Sequence, residues 1–215
     1  MNDNLRIYSI VYKPEQVSEY IRYDNSHIKT PEQKSYLFEY NPIIDIIDNH
    51  YIEEEYLGIF SHKFHVKTGI MRKKLLLYVK NSPGYDFYNF SKLTGIREFR
   101  PNFENESHPG FDDIFIPLCK DLGLSSSLSN DLIYENFFIT KTEIYKNYVN
   151  SVIKPAIELL ETKYKDLAWR NAVYLPNKNL FRDTGLEHYT FHTFILERLV
   201  NQFILKNEYT IKKIG

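Results

Sequence analysis

Three isolated carboxylates, Asp86, Glu135 and Glu197, are the acidic groups best placed to carry chemistry, with the pair Asp112 and Asp113 in reserve. One carboxylate beside a hydroxyl can act as a general base. Two together can hold a divalent cation that bridges and neutralises a diphosphate. No Asp-x-Asp stands at an expected strand end, and Asp86-Phe-Tyr88, which supplies one carboxylate, is the nearest placement. Its plain alternative is a solvated turn residue after Ser82-Pro83-Gly84. Glu197 adjoins Arg198, but neighbouring helix positions point in different directions. It is therefore either a surface charge or a part-buried group at the edge of an apolar stripe.

Two histidine pairs have spacings worth testing for metal. His62 and His65 flank Lys63-Phe64; on an extended segment, residues three apart face opposite ways and cannot share one ion. His188 and His192 are four apart, which suits a shared metal on a helix, but no third ligand is evident. Capping, stacking or loop contacts are the default for both pairs. Cys119 lies in the apolar run Ile116-Pro-Leu-Cys119, where a buried structural thiol is expected rather than a nucleophile. The chain has no phosphate-binding glycine loop, no Cys-x-x-Cys, no His-Glu-x-x-His and no Gly-x-Ser-x-Gly. The lack of a nucleophile motif argues against a hydrolase or phosphatase.

The elements that would position these groups alternate between short apolar runs and helical stripes. Leu5–Tyr12 is β-branched and aromatic and is closed by Pro14, which predicts a strand. Residues 15–23 suit a short helix. Thr30-Pro31 has the cap and first-turn proline of a helix start, and Asn41-Pro42 opens a helix through Ile43, Ile44, Ile46 and Ile47. Tyr56–Phe60 and Tyr134–Ile139 are expected strands, Tyr85–Phe90 another, and Lys73–Lys80 fits helix or strand. Residues 95–110 read as loop, and Ser125–Ser129 as a linker too short to divide domains. Helices are expected over Phe111–Leu122, over Lys141–Tyr164 with a kink at Pro155, and over Phe191–Lys206 with one apolar face. Strands separated by helices give an α/β fold: one domain over 1–215, with a mainly parallel central sheet and helices on both faces.

The totals narrow the function classes. The chain has 215 residues, 27 basic against 28 acidic, and a net charge of −1. That balance excludes a general nucleic-acid binder, whose affinity comes largely from neutralising phosphates. Tyr (18) and Phe (15) are abundant against one Trp; base composition explains the bias, although Tyr can stack on a base or a sugar ring. One cysteine forms no internal disulfide, and the start Met1-Asn-Asp-Asn-Leu5 has no apolar signal core. A reducing, cytoplasmic setting is expected. No window reaches the ~20 apolar residues of a membrane helix, which leaves peripheral membrane association compatible with the sequence.

Three segments in order carry a family resemblance. Tyr56-Leu-Gly-Ile-Phe-Ser-His-Lys63 resembles a Tyr-x-Gly-x-x-His-Tyr-Arg-Arg strand and loop. Glu135-Asn-Phe-Phe-Ile-Thr-Lys-Thr-Glu-Ile-Tyr145 is similar to a strand-to-helix Asn-x-Phe-Ile segment, and Phe194-Ile-Leu-Glu-Arg-Leu199 to a Glu-Arg-Leu helix. All three belong to small bacterial glycosyltransferase-like proteins of capsular and exopolysaccharide synthesis. The resemblance implies a GT-A-like, Rossmann-type fold and transfer of a sugar from a nucleotide-diphosphate donor to a glycan or lipid-linked acceptor. It implies that Tyr12 and Lys13 hold the nucleotide, that Ser61, His62 and Lys63 meet the diphosphate, and that Asn136 orients a substrate. Glu197 and Arg198 would then close the site. The base would be Glu197, Asp86 or Glu135, and Asp86 would help hold a manganese or magnesium ion. The sequence departs from the pattern where Lys63-Phe64 replaces paired arginines and where the Asp-x-Asp is missing. A non-catalytic nucleotide- or carbohydrate-binding member of an assembly complex is the rival reading.

Overall fold

The computed structural model describes residues 4–92, 103–127, 133–174 and 179–214. Six strands form one sheet: β1 (Leu5–Val11), β2 (Ile21–Asp24), β3 (Tyr56–Ser61), β4 (Phe87–Asn89), β5 (Phe138–Lys141) and β6 (Ile211–Lys213). Their order is β2-β1-β3-β5-β4-β6. β1 pairs in parallel with both β2 and β3, and β4 with β6, whereas β5 runs antiparallel to β3 and β4. The sheet is thus mixed and mostly parallel, with β5 alone reversed.

Alternation along the strands splits the core into two layers. Tyr8, Ile10, Leu57, Ile59, Phe87 and Phe138 face a large layer with α1 (Tyr40–Asn49) and the helices Phe111–Asp121, Lys154–Glu161 and Phe191–Asn207. Ile7, Phe60, Tyr88, Phe90 and Ile139 face a smaller layer with α2 (Phe64–Thr68) and α3 (Arg72–Asn81). In that layer Phe60 stacks on Phe64 with ring centroids 4.0 Å apart. Gly58 sits opposite Ile139 across the β3–β5 pair. A Cβ there would lie 2.9 Å from Ile139 Cγ1, so only glycine lets the two strands close.

Several elements differ from expectation for identifiable reasons. Residues 21–24 form the edge strand β2 instead of the end of a helix, because their backbone pairs with the open edge of β1; tertiary pairing overrides a weak local propensity. The strand expected from Tyr134 begins only at Phe138. Glu135 and Asn136 have φ of 60° and 55°, left-handed values that end a strand. Lys73–Lys80 belongs to a helix, α3. The helix after Lys141 runs as Thr142–Tyr148, a π turn Val149–Ile153 and Lys154–Glu161. The π turn absorbs the irregularity, with Pro155 in the first turn beyond it. Part of the expected loop 95–110 is the helical turn Phe103–Ser107; residues 95–102 of that loop, and residues 128 and 129 of the serine-rich stretch, lie outside the described residues.

The helix Phe191–Asn207 is not one-sided. Twelve residues spread around its circumference are buried, including His192, Arg198, Asn201 and Gln202. It is a core helix whose polar members are tied internally: Asn201 Oδ1 accepts from Ile133 N at 2.7 Å, and its Nδ2 donates to Ile133 O at 3.1 Å. No helix among the described residues is long and apolar enough to cross a membrane.

Candidate active site

Parallel strands deliver their carboxyl ends to one rim of the sheet, where open α/β folds gather ligands. β1 ends into Tyr12 and Lys13, and β3 ends into Ser61, His62 and Lys63. Because β5 is reversed, its amino-terminal approach, Tyr134 to Phe137, reaches the same rim. A cleft of about 1330 Å³ opens there, walled on the far side by the helix Phe191–Asn207 through Phe194, Glu197 and Arg198.

Five carboxylates line this cleft, Glu15, Glu39, Glu135, Asp183 and Glu197; Glu39, which feels the charges of Glu135 and Glu197, was not singled out in the sequence. Glu39 directly precedes α1, yet its side chain makes no capping bond to that helix. Its Oε2 accepts from Asn136 Nδ2 at 3.2 Å, while Asn136 Oδ1 accepts from the Tyr40 hydroxyl at 3.0 Å. Asn136 is buried. It works by fixing Glu39 rather than by lining the cleft. Burial and the neighbouring Glu197 raise the Glu39 carboxyl from 4.5 to about 7, although Asn136 and Lys67 oppose the rise. Burial also raises Glu197, against the pull of Arg198. Glu135 is ion-paired to Lys67. Burial works against the Lys67 ammonium, but the hydrogen bond and charge of Glu135, with Glu39 and Glu197 behind it, lift it above its ordinary value.

The local backbone is strained where these groups are placed. Phe38 has φ 47° and ψ −110°, and Glu135 and Asn136 are both left-handed. Such conformations cost about 1–3 kcal/mol each and persist where surroundings over-determine them. Here Phe38 stacks on Tyr189 at 5.7 Å, with both rings on the cleft wall.

On the opposite wall, Gln16 Oε1 accepts from the backbone N–H of Tyr12 at 2.7 Å and of Lys13 at 3.1 Å. Its amide nitrogen therefore faces His62 Nε2 at 2.9 Å, which makes that ring nitrogen the acceptor and puts the proton on Nδ1. Nδ1 is buried and has no hydrogen-bond partner among the described residues. Burial, then Lys63 and His65, push His62 below its ordinary value, which favours the neutral ring. Tyr12 meets the His62 ring edge-on at 5.9 Å. Ser61 Oγ accepts from Lys63 N at 3.2 Å and shapes the loop. Lys13, Lys29 and Lys63 line the cleft and form no ion pair among the described residues.

Two expected roles change. Asp86 is at the amino-terminal end of β4, on the opposite rim from the cleft. Its Oδ1 accepts from Lys141 Nζ at 2.7 Å, and its Oδ2 from Thr210 N at 3.0 Å and Thr210 Oγ1 at 2.9 Å. It ties three strands together and is not available as a base or metal ligand in the cleft. Arg198 touches the cleft, but its guanidinium is spent on buried Glu104, through Nε at 3.1 Å and Nη2 at 2.9 Å, and on Glu197. It also covers the Tyr134 ring at 4.7 Å. Arg198 positions Glu197 and has no free fork for a phosphate. Of the histidine pairs, His65 is exposed on α2. His188 bonds to the Trp169 carbonyl at 3.0 Å, and His192 is fully buried against Glu161 at 2.6 Å. Among the described residues no three His, Cys, Asp or Glu side chains converge to hold a metal.

Against solved structures, 97% of the chain aligns with the WbbM bifunctional glycosyltransferase in its apo form, with a TM-score of 0.52 and 12% identity. The fold is glycosyltransferase-like. The chain spans 44% of that protein's length. No family model matches the sequence, and no curated protein does.

Proposed function

We propose that the cleft transfers a sugar from a nucleotide-diphosphate donor to a hydroxyl of a glycan or lipid-linked acceptor during surface polysaccharide synthesis in the bacterial cytoplasm. The observation that carries this reading is charge placement: Glu39, Glu135 and Glu197 share the cleft with lysines that form no ion pair among the described residues, Lys13 and Lys63, at the ends of β1 and β3. Glu39 is the best-placed base. Its partial protonation near neutrality matches the task of taking a proton from the acceptor hydroxyl. As that oxygen bonds to the anomeric carbon, the bond from carbon to the diphosphate oxygen breaks and the nucleoside diphosphate leaves with the electron pair. Lys13 and Lys63 meet the charge that develops, His62 holds the turn after β1 in place through Gln16, and Tyr12 supplies a face for the base. Glu197, held by Arg198, and Glu135, held by Lys67, orient the acceptor.

No step above is routed through a metal. A thermal-shift and calorimetric screen of nucleotide sugars, each with and without manganese, tests the reading. Donor binding that Lys63→Ala weakens supports it. A non-catalytic binding protein is the second reading, favoured by the engagement of Asp86 away from the cleft. Donor binding without product release under any acceptor would select it.

A further inference from the structure

From Ser61 to Tyr85 the sequence carries no Asp or Glu, against six cations: Lys63, Lys67, Arg72, Lys73, Lys74 and Lys80. The segment folds as α2 and α3, which cover the smaller layer of the core. In α3, Leu75 and Val79 point inward and are buried. At 100° per residue the opposite side centres on Leu77, with Lys73 and Lys80 on one side of it and Lys74 on the other. Leu77 is 47% exposed, and the neighbouring Met71 and Val66 are 51% and 74% exposed. Lys74 reaches over the Tyr78 ring at 5.6 Å. Arg72, Lys73, Lys74 and Lys80 make no ion pair among the described residues. Among the described residues, acids meet this segment at Glu19, whose Oε2 accepts from Arg72 N at 3.1 Å, and at the cleft end, where Glu135 pairs with Lys67 and Glu39 and Glu197 lie behind it.

Cations alone would suit any polyanion. Exposed aliphatic side chains set among them suit a lipid surface, where the apolar groups enter the headgroup boundary and the long basic stems keep their charges at the phosphates. We propose that α2 and α3 form a membrane-docking face that seats the protein on bilayers containing anionic lipid. The same face runs into the cleft through Lys63 and Lys67, so docking would hold the cleft mouth beside the membrane. That last consequence, delivery of a lipid-linked acceptor, rests on the transferase reading; the docking itself does not.

The test is flotation of the full chain with two kinds of vesicle, phosphatidylcholine alone and phosphatidylcholine with phosphatidylglycerol in equal parts. Binding to the mixed vesicles, absent on the neutral ones and weakened by salt, is expected. Each cation near an anionic surface is worth about a factor of five, so the triple variant Lys73→Gln, Lys74→Gln, Lys80→Gln should bind on the order of a hundredfold more weakly. All three side chains are exposed, so circular dichroism should be unchanged. Leu77→Ser should reduce the binding that survives high salt. Absence of binding to the mixed vesicles, or equal binding by the triple variant, would overturn the proposal. So would capture of RNA or heparin without vesicles, or a dimer in sedimentation velocity that Leu77→Ser abolishes. Nucleotide-sugar titrations in solution should be the same for the triple variant and the parent; they report on the transferase reading separately.

Discussion

Replacing Glu39 by glutamine keeps the side chain's shape and its contact with Asn136 but removes the charge. The parent carboxyl is raised from 4.5 to about 7, chiefly by burial and then by Glu197. A carboxyl raised on folding gives its full stability below the unfolded value and loses it as pH rises through the folded value. Each pH unit between the two is worth about 1.4 kcal/mol, so ionised Glu39 would cost the fold about 3 kcal/mol, or about 2 once water at the cleft mouth is counted. Glu39→Gln should therefore be more stable than the parent at pH 8.5, with a melting temperature roughly 4–8 °C higher. The gain should shrink as pH falls and vanish below about pH 4.5. If Glu39 is the base, transfer should drop by about 10²–10⁴-fold in the variant. The parent's kcat/KM should rise with pH and level off above about 7. Differential scanning fluorimetry across pH and a donor-turnover assay read the two halves. A variant less stable than the parent at pH 8.5 would refute the buried-charge argument. A stability gain with unchanged turnover would keep that argument and remove Glu39 from catalysis.

Three further outcomes follow from the contacts. Lys63→Ala should weaken nucleotide-sugar binding by about tenfold, the worth of one charge-assisted contact, with little change in melting temperature, because Lys63 is exposed and forms no ion pair among the described residues; calorimetry checks both. Asp86→Ala should leave donor affinity unchanged and cost about 1–3 kcal/mol in urea unfolding, since it strips Lys141 and Thr210 of their acceptor. Arg198→Met should cost about 3–5 kcal/mol, because it breaks the buried ion pair with Glu104, and it should lower donor turnover in whatever fraction remains folded.

The strands β1 and β3 were legible because their runs are short, β-branched and aromatic, and the loop that follows each carries Lys13, His62 and Lys63 to the cleft by a general rule of open sheets. That same rule, applied to β4, places Asp86 at the wrong end: it precedes the strand, so it sits on the opposite rim. The reversal of β5 could not be read from residues 134–141, since alternation fixes which face a side chain takes but not the direction of pairing. That reversal is what brings Glu135 to the site. Glu39 was missed because nothing in Phe38-Glu39-Tyr40 gives a spacing signal. Its placement depends on the positive φ of Phe38 and on Asn136, which is distant in sequence. Asn136 did carry a signal, since Asn tolerates the left-handed backbone that turns the chain there. The helix Phe191–Asn207 had its apolar residues read correctly, but not the burial of its polar ones, which depends on partners such as Glu161 and Glu104 elsewhere in the chain.

The central claim is that this cleft holds a nucleotide-diphosphate sugar between the lysines of β1 and β3 and the carboxylates opposite. Isothermal titration with a panel of nucleotide sugars, repeated on the double variant Lys13→Ala, Lys63→Ala, addresses it most directly. Saturable binding of at least one donor is expected, competed by its nucleoside diphosphate and reduced by about a hundredfold in the double variant. If no nucleotide sugar binds the folded protein, with or without manganese, or if the double variant binds as tightly as the parent, the account is contradicted.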